Sequence, residues 1–254
     1  MNSLIIASHR VSRRRFLFGA ASLATMLPAL RASVSSTMTS SIELPANAVL
    51  LFQGDSITDC LRDRTRSWPN DPAALGAGYV GRIAGDLLAL HPGAGWKIYN
   101  RGISGDRSVD LLGRWRRDTL GLQPDVVSIL VGVNDTWHEH LTGNGISVAR
   151  YAALYRMLLV DTQQARPSVR LILGEPFALP GGEFKDAWMD ELHLRADAVR
   201  ELAKEFGAAF VPYQAMFDAA LKRYSATELA ADGVHPSPLG HQLMAQAGRE
   251  AACL

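Results

Sequence analysis

Cysteine is nearly missing from this chain: Cys60 and Cys253 are the two in 254 residues. Two thiols cannot build the multi-bridge framework that staples small secreted domains. Neither stands in a C-x-x-C pair, which removes the usual zinc-ribbon and thioredoxin-like readings. Two free thiols are the plainer expectation, with a single Cys60–Cys253 bridge left open. Charge of one sign is lacking too. With 26 basic and 25 acidic side chains the formal net charge is +1, so no bulk field recruits nucleic acid or an anionic surface. The chain has no internal repeat and no low-complexity stretch. It also has no G-x-S-x-G, which excludes the usual nucleophile elbow of the α/β-hydrolases.

Only one apolar run is long. Phe16 to Leu30 follows Arg10, Arg13, Arg14 and Arg15, and small residues (Ala29, Ala32) mark its end. That run falls short of the roughly 20 residues needed to span a bilayer. Residues 1–33 therefore read as an export signal, with S-R-R-R-F-L (Ser12 to Leu17) of the twin-arginine type that carries folded protein. The expectation is an exported protein, periplasmic or secreted, with no stable membrane span after signal removal. A basic amphipathic helix that stays attached is the alternative. Residues 34–46 are small and polar and read as a flexible tether; residues 47–254 form the domain.

Within that domain short β-branched runs alternate with helical patterns. Val49 to Gln53, Lys97 to Asn100, Val126 to Val131, Val169 to Leu173 and Ala209 to Val211 read as strands. Helices are predicted over Tyr79 to Leu90, Val109 to Thr119, Val148 to Gln164, Met189 to Phe206 and Leu239 to Ala251. Such alternation argues for an α/β fold: a mostly five-stranded parallel sheet in a three-layer α/β/α sandwich, with right-handed crossovers. Functional residues should then gather beyond the C-terminal strand ends.

They do so in the sequence. The first strand runs into G-D-S-I-T (Gly54 to Thr58), the second into N-R-G-I-S-G (Asn100 to Gly105), and the third into G-V-N-D (Gly132 to Asp135). Near the C-terminus stands D-G-V-H-P, Asp232 to Pro236. A serine hydroxyl is a weak nucleophile and needs a base, here His235; a carboxylate three residues earlier, Asp232, can fix the imidazole tautomer. Oxyanion donors would come from the Ser56 N–H, the Gly102 N–H and the Asn134 amide, each worth roughly 2.7–4 kcal/mol. Taken singly, G-D-S reads as a polar turn, D-x-x-H as a surface loop and Asn134 as a turn residue. Their order at successive strand ends is what carries the reading.

These four blocks resemble the SGNH hydrolases, or GDSL esterases, over about residues 47 to 250. The resemblance implies a flavodoxin-like SGNH fold and a serine esterase without cofactor or metal. It implies Ser56 as nucleophile, Gly102 and Asn134 in the oxyanion hole, and Asp232 and His235 completing the triad. Ile57 stands where the family label has leucine. L-F-Q-G-D-S-I-T-D-C, A-L-G-A-G-Y-V and V-S-I-L-V-G-V-N-D-T-W look like the acetylxylan esterase group, implying an acetylated carbohydrate as partner. Asp55 and Trp137 are expected to line the substrate site, and the charged loop from Asp59 to Pro72 to rim it. Rival readings are a thioesterase or lysophospholipase on the same triad, and a non-catalytic carbohydrate-binding protein. No feature decides whether the chain forms a homo-oligomer.

Three patterns are set aside. G-A-G-Y-V-G (Gly76 to Gly81) matches a dinucleotide fingerprint but does not follow a strand, so its glycines read as packing against the sheet. His138 and His140 lack a third ligand at a recognisable spacing. His241 reads as a structural residue of the closing helix.

Overall fold

The computed structural model describes residues 44–253. The expected export signal and residues 34–43 of the tether lie outside the described residues. The last part of that tether belongs to the folded domain: Leu44 packs on the core, and the Pro45 carbonyl accepts the Trp96 indole N–H at 3.0 Å.

Five parallel strands form one sheet: β1 (Val49–Gly54), β2 (Lys97–Asn100), β3 (Val126–Leu130), β4 (Arg170–Gly174) and β5 (Ala209–Val211). Their order is β2-β1-β3-β4-β5. Side chains alternate across each strand, so one run of apolar residues feeds two layers. Leu50, Phe52, Val126, Leu130 and Ile172 face a core shared with α3 (Tyr79–Leu90), α8 (Tyr213–Ala220) and α10 (Pro238–Ala252). Val127, Ile129, Leu171 and Leu173 face the opposite core, with α4 (Ser108–Asp118), α6 (Val148–Ala165) and α7 (Met189–Phe206). The result is the three-layer α/β/α sandwich. Among the described residues no helix is long and apolar enough to cross a membrane. Cys60 and Cys253 are both free thiols.

Local chemistry sets the helix ends. Ser147 and Ser237 cap α6 and α10 by accepting N–H bonds from Arg150 and Gly240, and Gly207 ends α7 in the left-handed region at φ 62°. Five helices lie where none was predicted: α1 (Ser56–Asp59), α2 (Pro72–Leu75), α5 (Val133–Thr142), α8 and α9 (Ala226–Leu229). Of these, α5 matters most, because Asn134, which taken singly reads as a turn residue, lies in its first turn. Gly132 turns the strand into the helix at φ 140°, where a Cβ would stand 2.9 Å from the Tyr151 hydroxyl. The fingerprint-like glycines also pack differently from expectation. A Cβ on Gly78 would meet Cys60 and His241, so they fit the turn after α1 and helix α10 rather than the sheet.

Because β2 and β3 lie on opposite sides of β1, the chain leaves β1 in one direction and returns on the other. That reversal opens a crevice at the C-terminal ends of β1 and β3, the usual place for a ligand in an open parallel sheet. Helix α5 forms one side of it and is anchored by Arg195, which is fully buried. Its guanidinium donates to Thr136 Oγ1 at 2.7 Å and to the Ile146 carbonyl, pairs with Glu191, and lies 5.2 Å from the Tyr151 ring centroid. Removing a buried charge's partner costs about 3–5 kcal/mol. Arg195→Ala, which strands Glu191 and Thr136 around a cavity, should lower the urea-unfolding free energy by about 3 kcal/mol. A loss below about 0.5 kcal/mol, the surface range, would contradict this anchoring.

Candidate active site

Asp55 carries the chain out of β1, and Ser56 opens α1 directly above the sheet. Ser56 Oγ lies 2.7 Å from His235 Nε2, and His235 Nδ1 lies 2.6 Å from Asp232 Oδ2. A carboxylate only accepts, so Nδ1 carries the imidazole proton and Nε2 is left to accept the serine hydroxyl. The other carboxylate oxygen, Oδ1, accepts the N–H groups of Val234 at 3.0 Å and His235 at 2.8 Å. Partial burial works against the Asp232 charge. The bonds from the His235 backbone and ring and from Val234 outweigh it and hold the carboxyl below its usual range.

A cavity of about 470 Å³ opens over the serine. Ser56, Gly105 and His235 border it on one side; Asn134, Trp137, His138, Leu141 and Thr142 come from α5. Asn134 donates one amide hydrogen to the Asp106 carbonyl at 3.1 Å, leaving the second for the cavity. Trp137 is at the cavity as expected, its ring also meeting Phe184 edge-on at 5.9 Å.

Gly102 does not reach this cavity. It is buried, its N–H is taken by Asn100 Oδ1 at 2.9 Å, and a Cβ there would run into the Thr58–Asp59 backbone. Its role is close packing under α1. The glycine at the cavity is Gly105, three residues on, at φ 88°. Among the described residues no acceptor takes the N–H of Gly105 or of Ser56. N-R-G-I-S-G holds two glycines, and strand-end position alone favoured the first. The overlooked signal is Asn100, whose side chain captures the N–H two residues on in an Asx-type turn and so occupies Gly102. Asp59, also missed, fixes the turn from below: its Oδ2 accepts both the N–H and the hydroxyl of Ser104, at 2.9 and 3.0 Å.

Asp55 does not line the substrate site either. Only 1% of it is exposed. Its Oδ1 caps α1 by accepting the Ile57 N–H at 3.0 Å, and among the described residues its Oδ2 has no partner. Burial pushes the carboxyl up to about 7; the Asp135 and Asp106 charges add to this and the Ile57 N–H opposes it. Asp135 is raised to about 6 by burial, against the Ser108 hydrogen bonds and the Arg195 charge. The two histidines of H-E-H have separate surroundings: His138 faces the cavity, and His140 stacks on Trp188 at 5.0 Å while bonding Glu191 at 3.0 Å. His241 sits behind α1, with Nδ1 accepting the Tyr79 N–H and Nε2 3.1 Å from Cys60 Sγ. The loop after α1 packs on the glycine turn through Arg62, which donates to the Gly102 carbonyl at 2.7 Å; Trp68 within it is 74% exposed.

The model of the GDSL-like lipase/acylhydrolase family matches residues 52–243, taking in every residue of the serine–histidine–aspartate constellation. The chain belongs to that family. An acetylxylan esterase of Geobacillus stearothermophilus is 38% identical over 203 residues, covering 78% of this chain and 90% of that enzyme. Among solved structures, a GDSL-like lipase candidate of Parabacteroides merdae superposes with a TM-score of 0.81 at 43% identity, covering 84% of this chain and 98% of that one. The acetyl-xylooligosaccharide esterase Axe2 of Geobacillus stearothermophilus gives 0.76 at 36%, covering 83% and 96%. Structures of catalytic Axe2 variants replace a serine, a histidine or an aspartate, the last two three residues apart as in this chain. This GDSL-family protein is a carboxylic ester hydrolase with the SGNH fold.

The buried Asp55 makes a sign-definite prediction. Its pKa is higher folded than unfolded, so its ionisation costs nothing below about pH 4 and penalises the native state increasingly up to about pH 7. Relative to the parent, Asp55→Asn should gain about 1.4 kcal/mol of stability per pH unit across that interval, then level off. Denaturant unfolding measured from acid to neutral pH reads this out; a stability difference independent of pH would contradict it.

Proposed function

We propose that this enzyme removes O-acetyl groups from xylan or xylo-oligosaccharides through an acyl-enzyme on Ser56. The observation that carries the reading is the Ser56–His235–Asp232 chain of hydrogen bonds, 2.7 and 2.6 Å long, at the edge of a cavity of about 470 Å³. His235 Nε2 takes the serine proton as Oγ attacks the ester carbonyl carbon. Negative charge moves to the carbonyl oxygen, where the N–H groups of Ser56 and Gly105 and the Asn134 amide receive it. The imidazolium, stabilised by Asp232, returns its proton to the sugar oxygen as the C–O bond breaks. His235 then activates water, which attacks the acetyl-serine and releases acetate.

Two features support a small acyl group on a sugar. Trp137 and Leu141 of α5 give the cavity a small apolar wall that suits a short acyl chain, and Trp137 brings an aromatic ring to the site. The relatives named for acetylated xylan and its oligosaccharides match nearly their whole length. Export fits a polymeric substrate outside the cytoplasm, as the arginine-led apolar run of the N-terminus suggests.

Acetate release from acetylated xylan, acetylated pectin and simple sugar acetates tests the reading. Xylan-derived esters should be turned over fastest, and acetyl esters faster than long-chain acyl esters. Ser56→Ala should reduce kcat by about 10⁶-fold, as in other serine hydrolases. Equal turnover by Ser56→Ala would remove the nucleophile assignment; faster cleavage of long-chain esters would favour a lysophospholipase or thioesterase.

A further inference from the structure

The loop that carries Asp232 and His235 has little secondary structure of its own, yet its acid must be held to a fraction of an ångström. The chain after β4 supplies the support. The Leu179 N–H donates to the Gly233 carbonyl at 2.7 Å, and the Glu183 N–H donates to the Asp232 carbonyl at 2.8 Å. Between these two bonds lies Gly182. A Cβ there would run into the carbonyl group of Asp232 and stand 2.5 Å from the Gly233 nitrogen. Real Cβ atoms do not approach backbone so closely, so the two chains meet at a distance that only glycine allows. The contact is reciprocal: a Cβ on Gly233, at φ 85°, would stand 2.7 Å from the Leu179 carbonyl oxygen. The same segment continues into Phe184, which is buried edge-on against Trp137 of the cavity wall. Residues 179–184 therefore touch the acid–base loop at one end and the acyl cavity wall at the other.

We propose that Gly182 is a positioning residue for catalysis. Its bare backbone seats the Asp232 carbonyl and thereby holds the Asp232–His235 pair in register with Ser56. The inference rests on the triad assignment above. Gly182 touches no reacting atom and acts only through Asp232.

The neighbouring glycine provides the control. Gly181 is at positive φ, 81°, as Gly182 is not, and a Cβ there meets nothing within 4 Å. Asn tolerates that backbone region, so Gly181→Asn should keep kcat within about twofold. Gly182→Ala should lower kcat for acetyl ester hydrolysis by about 10²-fold, the scale of a misplacement near 1 Å, with KM much less changed. Its low-field proton signal from the His235 Nδ1–H should broaden or vanish. On an Asp232→Asn background, Gly182→Ala should add little, because both changes act on one interaction. Gly233→Ala crowds the same contact from the other side and carries the test if Gly182→Ala does not fold.

Gly182→Ala with parental kcat would overturn the proposal. So would a loss of activity with the low-field signal intact, or with the full loss repeated on the Asp232→Asn background; either marks a merely structural role. Failure of the triad reading is separately visible, as an active Ser56→Ala enzyme.

Discussion

A 2.7 Å hydrogen bond between Ser56 Oγ and His235 Nε2 joins the end of the first strand to a loop 179 residues later. Neither partner can find the other by local structure. The sheet order brings them together: β1 is flanked by β2 and β3, so its C-terminal end opens into the crevice rather than under a neighbouring strand's connection. The serine hydroxyl is a nucleophile only while that base is in reach, and the base is oriented only while Asp232 holds its Nδ1–H. The turn after β2, the first turn of α5 and the chain after β4 can each be understood by how it serves that bond.

The floor of the site shows a conflict between stability and function. Asp55, Asp106 and Asp135 crowd beneath a serine, in surroundings that raise all three carboxyls through burial. Asp106 is offset by Arg114 at 2.7 Å and Asp135 by the Ser108 hydroxyl at 2.6 Å, while Asp55 Oδ2 lacks a partner among the described residues. Arg114 also ties the end of β1 to α4, donating to the Gln53 side chain and the Gly54 carbonyl. A buried polar group left unmatched is costly, and such groups concentrate where chemistry requires a fixed geometry.

Much of this was legible in the sequence because it rests on local signals. Five apolar or β-branched runs gave five parallel strands, and Tyr79–Leu90, Lys97–Asn100 and Met189–Phe206 have the bounds that periodicity indicates. Ser56 and Asn134 could be placed together because each follows a strand end, and Asp232 and His235 because a carboxylate three residues before a histidine can orient it; neither signal needs knowledge of side-chain direction. Helix α5 was not legible: V-N-D-T-W-H-E-H-L-T carries few apolar side chains, and the helix starts at the Gly132 turn and is tied at its flank to Arg195 through Thr136. Direction defeated two further residues. Gly102 and Gly105 are equivalent as letters, and only the Asn100 side chain decides which N–H remains for the cavity. Asp55 precedes the serine in the chain, but the turn into α1 points it inward.

Hydrolysis by this enzyme depends on Ser56 being an activated nucleophile that forms a covalent adduct. Treating the purified enzyme with a fluorophosphonate, followed by peptide mass spectrometry, tests this directly. A single adduct on the peptide containing Ser56, absent after His235→Ala, is the predicted result. An enzyme that stays fully active and unlabelled, or is labelled at another residue with equal loss of activity, would contradict it.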